Sequence, residues 1–140
     1  VVALPIVGPY NASKFALEAF TESLRYEVSP FGIRVTAIQA GPVTTAFYDN
    51  EIRAAAARDA KVSPYRGLLA SYAREVGKLR RIPAARIADV IFHVARRRSP
   101  PLRVRVGPTS FSGGLLRRFV PDRIFEALIG FVFHRTSGRP

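Results

Sequence analysis

Residues 10–41 read YNASKFALEAFTESLRYEVSPFGIRVTAIQAG. Leu17, Phe20, Leu24 and Val28 recur at spacings of three and four, which makes one apolar stripe of a helix from Asn11 onward. Glu18, Glu22 and Arg25 fall elsewhere on that helix. Ser29-Pro30-Phe31-Gly32 ends it, because Pro and Gly do not continue a helix. Ile33 to Ile38 is short, rich in β-branched residues and follows the helix directly, the order of a buried parallel strand after a crossover helix. Ala40-Gly41-Pro42 then opens a loop at the strand's C-terminal end.

Upstream, Val1 to Val7 is an apolar run closed by the turn signal Gly8-Pro9. It is too short, and too broken by Pro5, for a signal peptide. Downstream, Phe47 to Arg58 is predicted helical. Ser63-Pro64 is predicted to start a second helix, with Ser63 as N-cap, that runs to about Arg80. Pro83 starts a third, with Ile87, Val90, Ile91 and Val94 as its buried face. Leu102 to Val106 is a strand whose Arg103 and Arg105 alternate with apolar residues, as on an edge. Gly113-Gly114 is read as a break. Two short amphipathic helices follow, Leu115 to Val120 and Ile124 to Phe133, split by Pro121-Asp122. This alternation predicts an α/β fold with a parallel sheet. Two strands make no such sheet alone, so further strands are expected from sequence outside this chain or from another chain.

The chain has 140 residues, one domain's worth, with nearly half of them apolar and no Cys. There is no disulfide scaffold and no thiolate metal site, and His93 and His134 lie too far apart to suggest metal ligands. A cytoplasmic location is compatible with this. The net charge of +12 would suit nucleic acid or anionic lipid. The basic residues are mostly Arg and scattered, with Arg96 to Arg98 the longest run, so the expectation is a solvated basic surface and no nucleic-acid partner.

Tyr10 and Lys14 carry the chemistry. Four residues apart at the start of a helix, they share a face with Cβ atoms about 5–6 Å apart. A phenol, with an ordinary pKa of about 10, is a poor base at neutral pH. A nearby ammonium and a helix N-terminus both favour the phenolate. Tyr10 is thereby suited to exchange a proton with a substrate oxygen, and Lys14 also has donors for a ribose hydroxyl. A bare Tyr-x-x-x-Lys is common by chance, and its surroundings give it weight.

Pro9-Tyr10-Asn11-Ala12-Ser13-Lys14-Phe15-Ala16-Leu17 resembles the Y-x-A-S-K-x-A signature of the short-chain dehydrogenase/reductase family. The resemblance continues in register through Leu24-Arg25-Tyr26-Glu27-Val28 and Gly32-Ile33-Arg34-Val35-Thr36. It extends to Gln39-Ala40-Gly41-Pro42-Val43-Thr44-Thr45-Ala46-Phe47, similar to the family's P-G-P-V-x-T loop, and to the helix from Pro83 to Val94. It covers roughly residues 1–107, leaving 108–140 as a helical tail of the same domain. It implies the C-terminal part of a Rossmann-like doubly wound parallel sheet and an NAD(P)-dependent oxidoreductase, using NADP or NAD. Tyr10 would be the general acid/base. Lys14 would bind the nicotinamide ribose and lower the Tyr10 pKa. Gly41, Pro42, Val43 and Thr45 would border the cofactor. Thr44 and Thr45 could also cap the helix that follows. Ala40 stands where the family usually has Pro, which loosens the turn but leaves the loop's backbone amides available.

The family's Gly-rich dinucleotide turn has no counterpart here, and its catalytic Ser would lie before position 1. The fragment alone is therefore expected to be inactive. The complete enzyme is expected to be a homo-oligomer acting on a small-molecule substrate. Phe47, Tyr48, Ile52, Leu68, Leu69 and Tyr72 point to an apolar one. The alternative is a basic, Arg-rich module that associates with a membrane surface or nucleic acid. The tail packs large apolar residues between Arg117, Arg118, Arg123 and Arg135 and must bury them somewhere. The expectation is burial on its own fold or on a neighbouring subunit, with peripheral contact to an anionic membrane as the other outcome.

Overall fold

A computed structural model describes residues 2–47 and 65–134. Helix α1 spans Gly8–Val28 and is closed by a 3-10 turn over Ser29–Phe31, after which Gly32 takes the left-handed φ of 75° that lets the chain reverse. Strand β1 is Ala37–Ala40. Helices α2 (Arg66–Gly77) and α3 (Ala84–Ala95) lead to strand β2 (Arg103–Val106). Helices α4 (Pro108–Phe119) and α5 (Asp122–His134) follow. β1 and β2 pair in parallel, with Ala37 opposite Arg103 and Ala40 opposite Val106. The architecture is thus mixed α/β around a parallel pair, as expected. The helices proposed for residues 48–64, the Ser63 cap among them, lie outside the described residues.

The first strand is shorter than its sequence suggested: pairing begins at Ala37, not Ile33. Pro100 and Pro101 stand opposite the missing rungs and have no N–H to donate. Side chains take over there. Arg25 donates to the carbonyls of Val35 (2.6 Å) and Pro100 (2.9 Å), and Thr36 donates its hydroxyl to Pro101 (2.8 Å). Arg25 therefore ties the end of α1 to the lead-in of both strands.

The face that α1 turns to the sheet is polar. Arg103 donates to Glu18 (2.9 Å) and Glu22 (2.5 Å), Gln39 donates to Glu18 (2.8 Å), and Arg105 donates to Gln39 (3.2 Å). Leu17 and Phe20 of the expected stripe are more than half exposed, while Leu24 and Val28 are half-buried. Burial pushes the Glu18 carboxyl up, but the hydrogen bonds from Gln39 and Arg103 and the charge of Arg103 outweigh it and hold it below its ordinary value of 4.5. The Arg103 hydrogen bond lowers Glu22 in the same way. Carboxylates depressed in the folded state contribute stability above their unfolded value, and lose it as pH falls through the folded value. Arg103→Leu in the intact protein is accordingly expected to lower the unfolding midpoint by a few degrees near neutral pH. The difference from wild type should shrink in acid as both carboxyls protonate. Denaturation across that pH range is the check, and a pH-independent difference would mean that lost packing, not charge, is its source.

Three further expectations change. The second helix ends at Gly77, short of Arg80. On α3, Val94 is buried and Ile87 and Val90 are half-buried, but Ile91 is exposed. Gly113 and Gly114 do not break a helix; they lie inside α4, which starts at Pro108 behind Gly107. Pro108 presets a helical φ at the first position, and Val2 packs beside Gly113, where a Cβ would sit in ordinary contact, 3.4 Å from Val2 Cγ2. α5 runs apolar side chains down onto α2, burying Phe133.

Candidate functional site

Tyr10 and Lys14 sit in the first two turns of α1, which opens at Gly8-Pro9. The helix dipole therefore places positive potential beside the phenol. The Lys14 ammonium lies over the Tyr10 ring, 5.2 Å from its centroid. Tyr10 is 44% exposed, so a ligand can reach it. The segment leading into α1 is held tightly. Asn11 donates its side-chain amide to the Leu4 carbonyl (2.7 Å), and Ile6 takes a φ of 74°, which a β-branched residue rarely adopts. Sequence reading had assigned Asn11 no task.

The loop after β1 is brought to the same place at its far end. The rings of Phe47 and Tyr10 meet at 5.4 Å between centroids, tilted by 45°. The near end is anchored elsewhere. Gly41 N–H donates to Val106 (2.9 Å), Ile82 N–H donates to Pro42 (2.7 Å), and Thr44 N–H donates to Ile82 (2.9 Å), so Val43 and Ile82 form a short parallel bridge. Two loop amides expected to be available, those of Gly41 and Thr44, are thus committed within the protein. Thr45 Oγ1 accepts from Phe47 N–H at 3.4 Å; the helix it was expected to cap lies beyond Phe47, outside the described residues.

Three residues that support this loop escaped the sequence reading. Ile82 is buried and carries both hydrogen bonds that hold residues 42–44. Gly107 lies at φ 92°, and a Cβ there would run into the Ile82 side chain. Thr109, at the start of α4, packs so closely on Gly41 that a Cβ at 41 would strike its Oγ1. Ile82 falls between two predicted helices, and nothing in its local sequence singled it out. Gly107 did carry a signal, since Gly-Pro after a strand marks a turn that admits positive φ.

An apolar cleft of about 340 Å³ lies between the lead-in to α1, α2 and α5, lined by Ala3, Pro5, Leu68, Phe125, Ile129 and Phe133. A second cleft, of about 260 Å³, shares Ala3 and Phe125, reaches Phe15, the residue after Lys14, and is also lined by the charged Arg117, Asp122 and Glu126. Leu68 belongs to the apolar set expected near the substrate; Tyr48 and Ile52 of that set lie outside the described residues. Among the described residues no cluster of His, Asp or Glu is suited to a metal.

A sequence model of the short chain dehydrogenase family matches residues 1–56, the stretch that holds Tyr10, Lys14 and the loop to Phe47. The 3-ketodihydrosphingosine reductase of Bacteroides thetaiotaomicron is 33% identical over 117 residues, 77% of this chain and 40% of that protein. The chain belongs to the short-chain dehydrogenase family. An uncharacterized oxidoreductase of Escherichia coli is 27% identical over 129 residues, 92% of this chain and 44% of its own length. The NADPH-dependent 3-dehydrocapnine reductase of Ornithobacterium rhinotracheale is 25% identical over 130 residues, 91% of this chain and 45% of its own. The chain spans less than half the length of these relatives.

Proposed function

We propose that the protein to which this chain belongs is an NAD(P)-dependent oxidoreductase that interconverts a ketone and its secondary alcohol, with Tyr10 as the proton-transferring group. The observation that carries the reading is the juxtaposition of Tyr10, Lys14 and the end of the 41–47 loop at one helix N-terminus. The relatives named above are reductases and oxidoreductases, which favours this reading over a basic binding module.

NAD(P)H, when bound, supplies the hydride for the carbonyl carbon. The chain's own residues do the rest. The Tyr10 hydroxyl gives its proton to the oxygen that becomes the alcohol, and in the reverse direction takes it back. The Lys14 ammonium, over the ring, stabilises the phenolate left behind, and its donors suit a ribose hydroxyl. The donor set is compatible with such a cofactor: the Lys14 ammonium and the Thr45 hydroxyl are both groups that can donate to oxygens. Gly41, Pro42 and Val43 would shape the wall of the nicotinamide site through a backbone held rigid by Ile82. The apolar residues lining the cleft beside Leu68 favour a substrate with an apolar body.

The test is hydride transfer itself. Intact protein is incubated with a series of apolar ketones and NADPH or NADH deuterated at the nicotinamide carbon that donates. Deuterium on the carbinol carbon of the product is the expected result. No transfer from either cofactor to any ketone, and none back from the alcohols, would end the proposal. The NADPH-dependent relative makes NADPH the cofactor to try first.

A further inference from the structure

Helix α4 is inside out. The side it turns toward the fold carries Thr109, Ser110 and Gly113, all half-buried. The side it turns to solvent carries Phe111, Leu115 and Phe119, at 55%, 59% and 71% exposure. Those three recur every four residues and so form one ridge along the helix. Exposed Ile124 and Leu128, also four apart, make a second outward pair on α5. A soluble helix normally shows the opposite arrangement, and a contiguous apolar ridge of this kind marks a docking surface.

Charge selects the occupant. α4 contains no acidic residue and ends in Arg117, Arg118 and Phe119, with Arg123 just beyond. Arg118 lies over the Phe119 ring at 5.9 Å, beside the ridge. Arg117 folds back onto Asp122 and over the Phe125 ring at 5.1 Å. The chain as a whole carries +12. A second copy docking through the same ridge would bring like charges together. Nucleic acid would satisfy the arginines and leave three large apolar groups in water. An anionic bilayer meets both needs, with apolar side chains entering the acyl boundary and guanidinium groups on the phosphates.

We propose that the α4 ridge, Phe111, Leu115 and Phe119 with Arg118, is the surface by which this protein docks on an anionic lipid bilayer. No helix among the described residues is long and apolar enough to cross one, so the contact is peripheral. The inference does not rest on the oxidoreductase reading, and vesicle binding is measured without turnover.

The experiment uses intact protein and vesicles of phosphatidylcholine with or without phosphatidylserine. Co-sedimentation with the anionic vesicles, weakened by salt, is expected. Leu115→Gln with Phe119→Gln should reduce partitioning by about a hundredfold or more, since each buried aromatic or leucine contributes at least about tenfold. Arg118→Glu should weaken it several-fold on anionic vesicles only. All three side chains are exposed, so the variants should keep the wild-type unfolding midpoint, which a thermal melt verifies. Vesicle binding unchanged by either variant overturns the proposal. So does no vesicle binding at all, whether because the ridge joins two copies, seen as a mass that halves in the double variant, or because the rest of the protein covers it. Binding to duplex nucleic acid in place of vesicles overturns it too.

Discussion

Replacing Tyr10 by Phe is expected to lower kcat by roughly 10²–10⁴-fold, the usual worth of a positioned proton donor. Cofactor affinity should not change. The substitution removes one oxygen and keeps the ring, so the contact with Phe47 and the seat of the Lys14 ammonium both survive. Steady-state kinetics beside cofactor calorimetry separates the two quantities. A variant that keeps most of its rate shows that the proton comes from elsewhere. A variant that loses cofactor binding as well shows that the phenol is structural. Lys14→Met should behave differently and raise the cofactor dissociation constant together with the fall in kcat, because the proposed function gives that ammonium both tasks.

Gly107→Ala is expected to have the largest effect on stability, on the order of 3 kcal/mol. Backbone strain and overpacking each contribute about 1–3 kcal/mol at such a site. Gly107 sits at φ 92°, a conformation L side chains rarely adopt, and a Cβ there would collide with Ile82. Ile82 holds the loop through its own N–H and carbonyl, so the displacement reaches Pro42 and Thr44 directly. Cofactor affinity should therefore fall with stability. Denaturant unfolding of the intact protein measures the first quantity and calorimetry the second. Adding Ile82→Ala removes the collision but not the strained φ. Partial rescue of cofactor affinity in the double variant is the expected sign that the route runs through Ile82. No rescue would leave backbone strain as the whole effect.

Much of this molecule is written locally. The stop at Ser29-Pro30-Phe31-Gly32, the start at Pro83, the strand before Gly107 and the split at Pro121-Asp122 are all set by residues that restrict their own φ or lack an N–H. Such signals act within a few residues and need no partner. Tyr10 and Lys14 were legible for the same reason, since helical spacing alone puts them on one face.

What the sequence determined by itself, then, is the order of the described helices and strands and the placement of Tyr10 and Lys14 on one face of a helix. What only the tertiary structure decided is what each element faces. Arg103, some eighty residues from α1, pairs with its carboxylates and turns them toward the sheet, where the helical pattern alone had favoured its apolar stripe. Pro100 and Pro101 shorten a strand that lies sixty residues away, by failing to supply its rungs. Helix α4 runs unbroken through a pair of glycines, with Val2 against Gly113, and its small residues face inward while its aromatics face out. Ile82 is an ordinary apolar residue in the chain and the keystone of a loop in the fold. Each of these outcomes depends on a contact between residues far apart in sequence, and a contact of that kind has no periodicity to read.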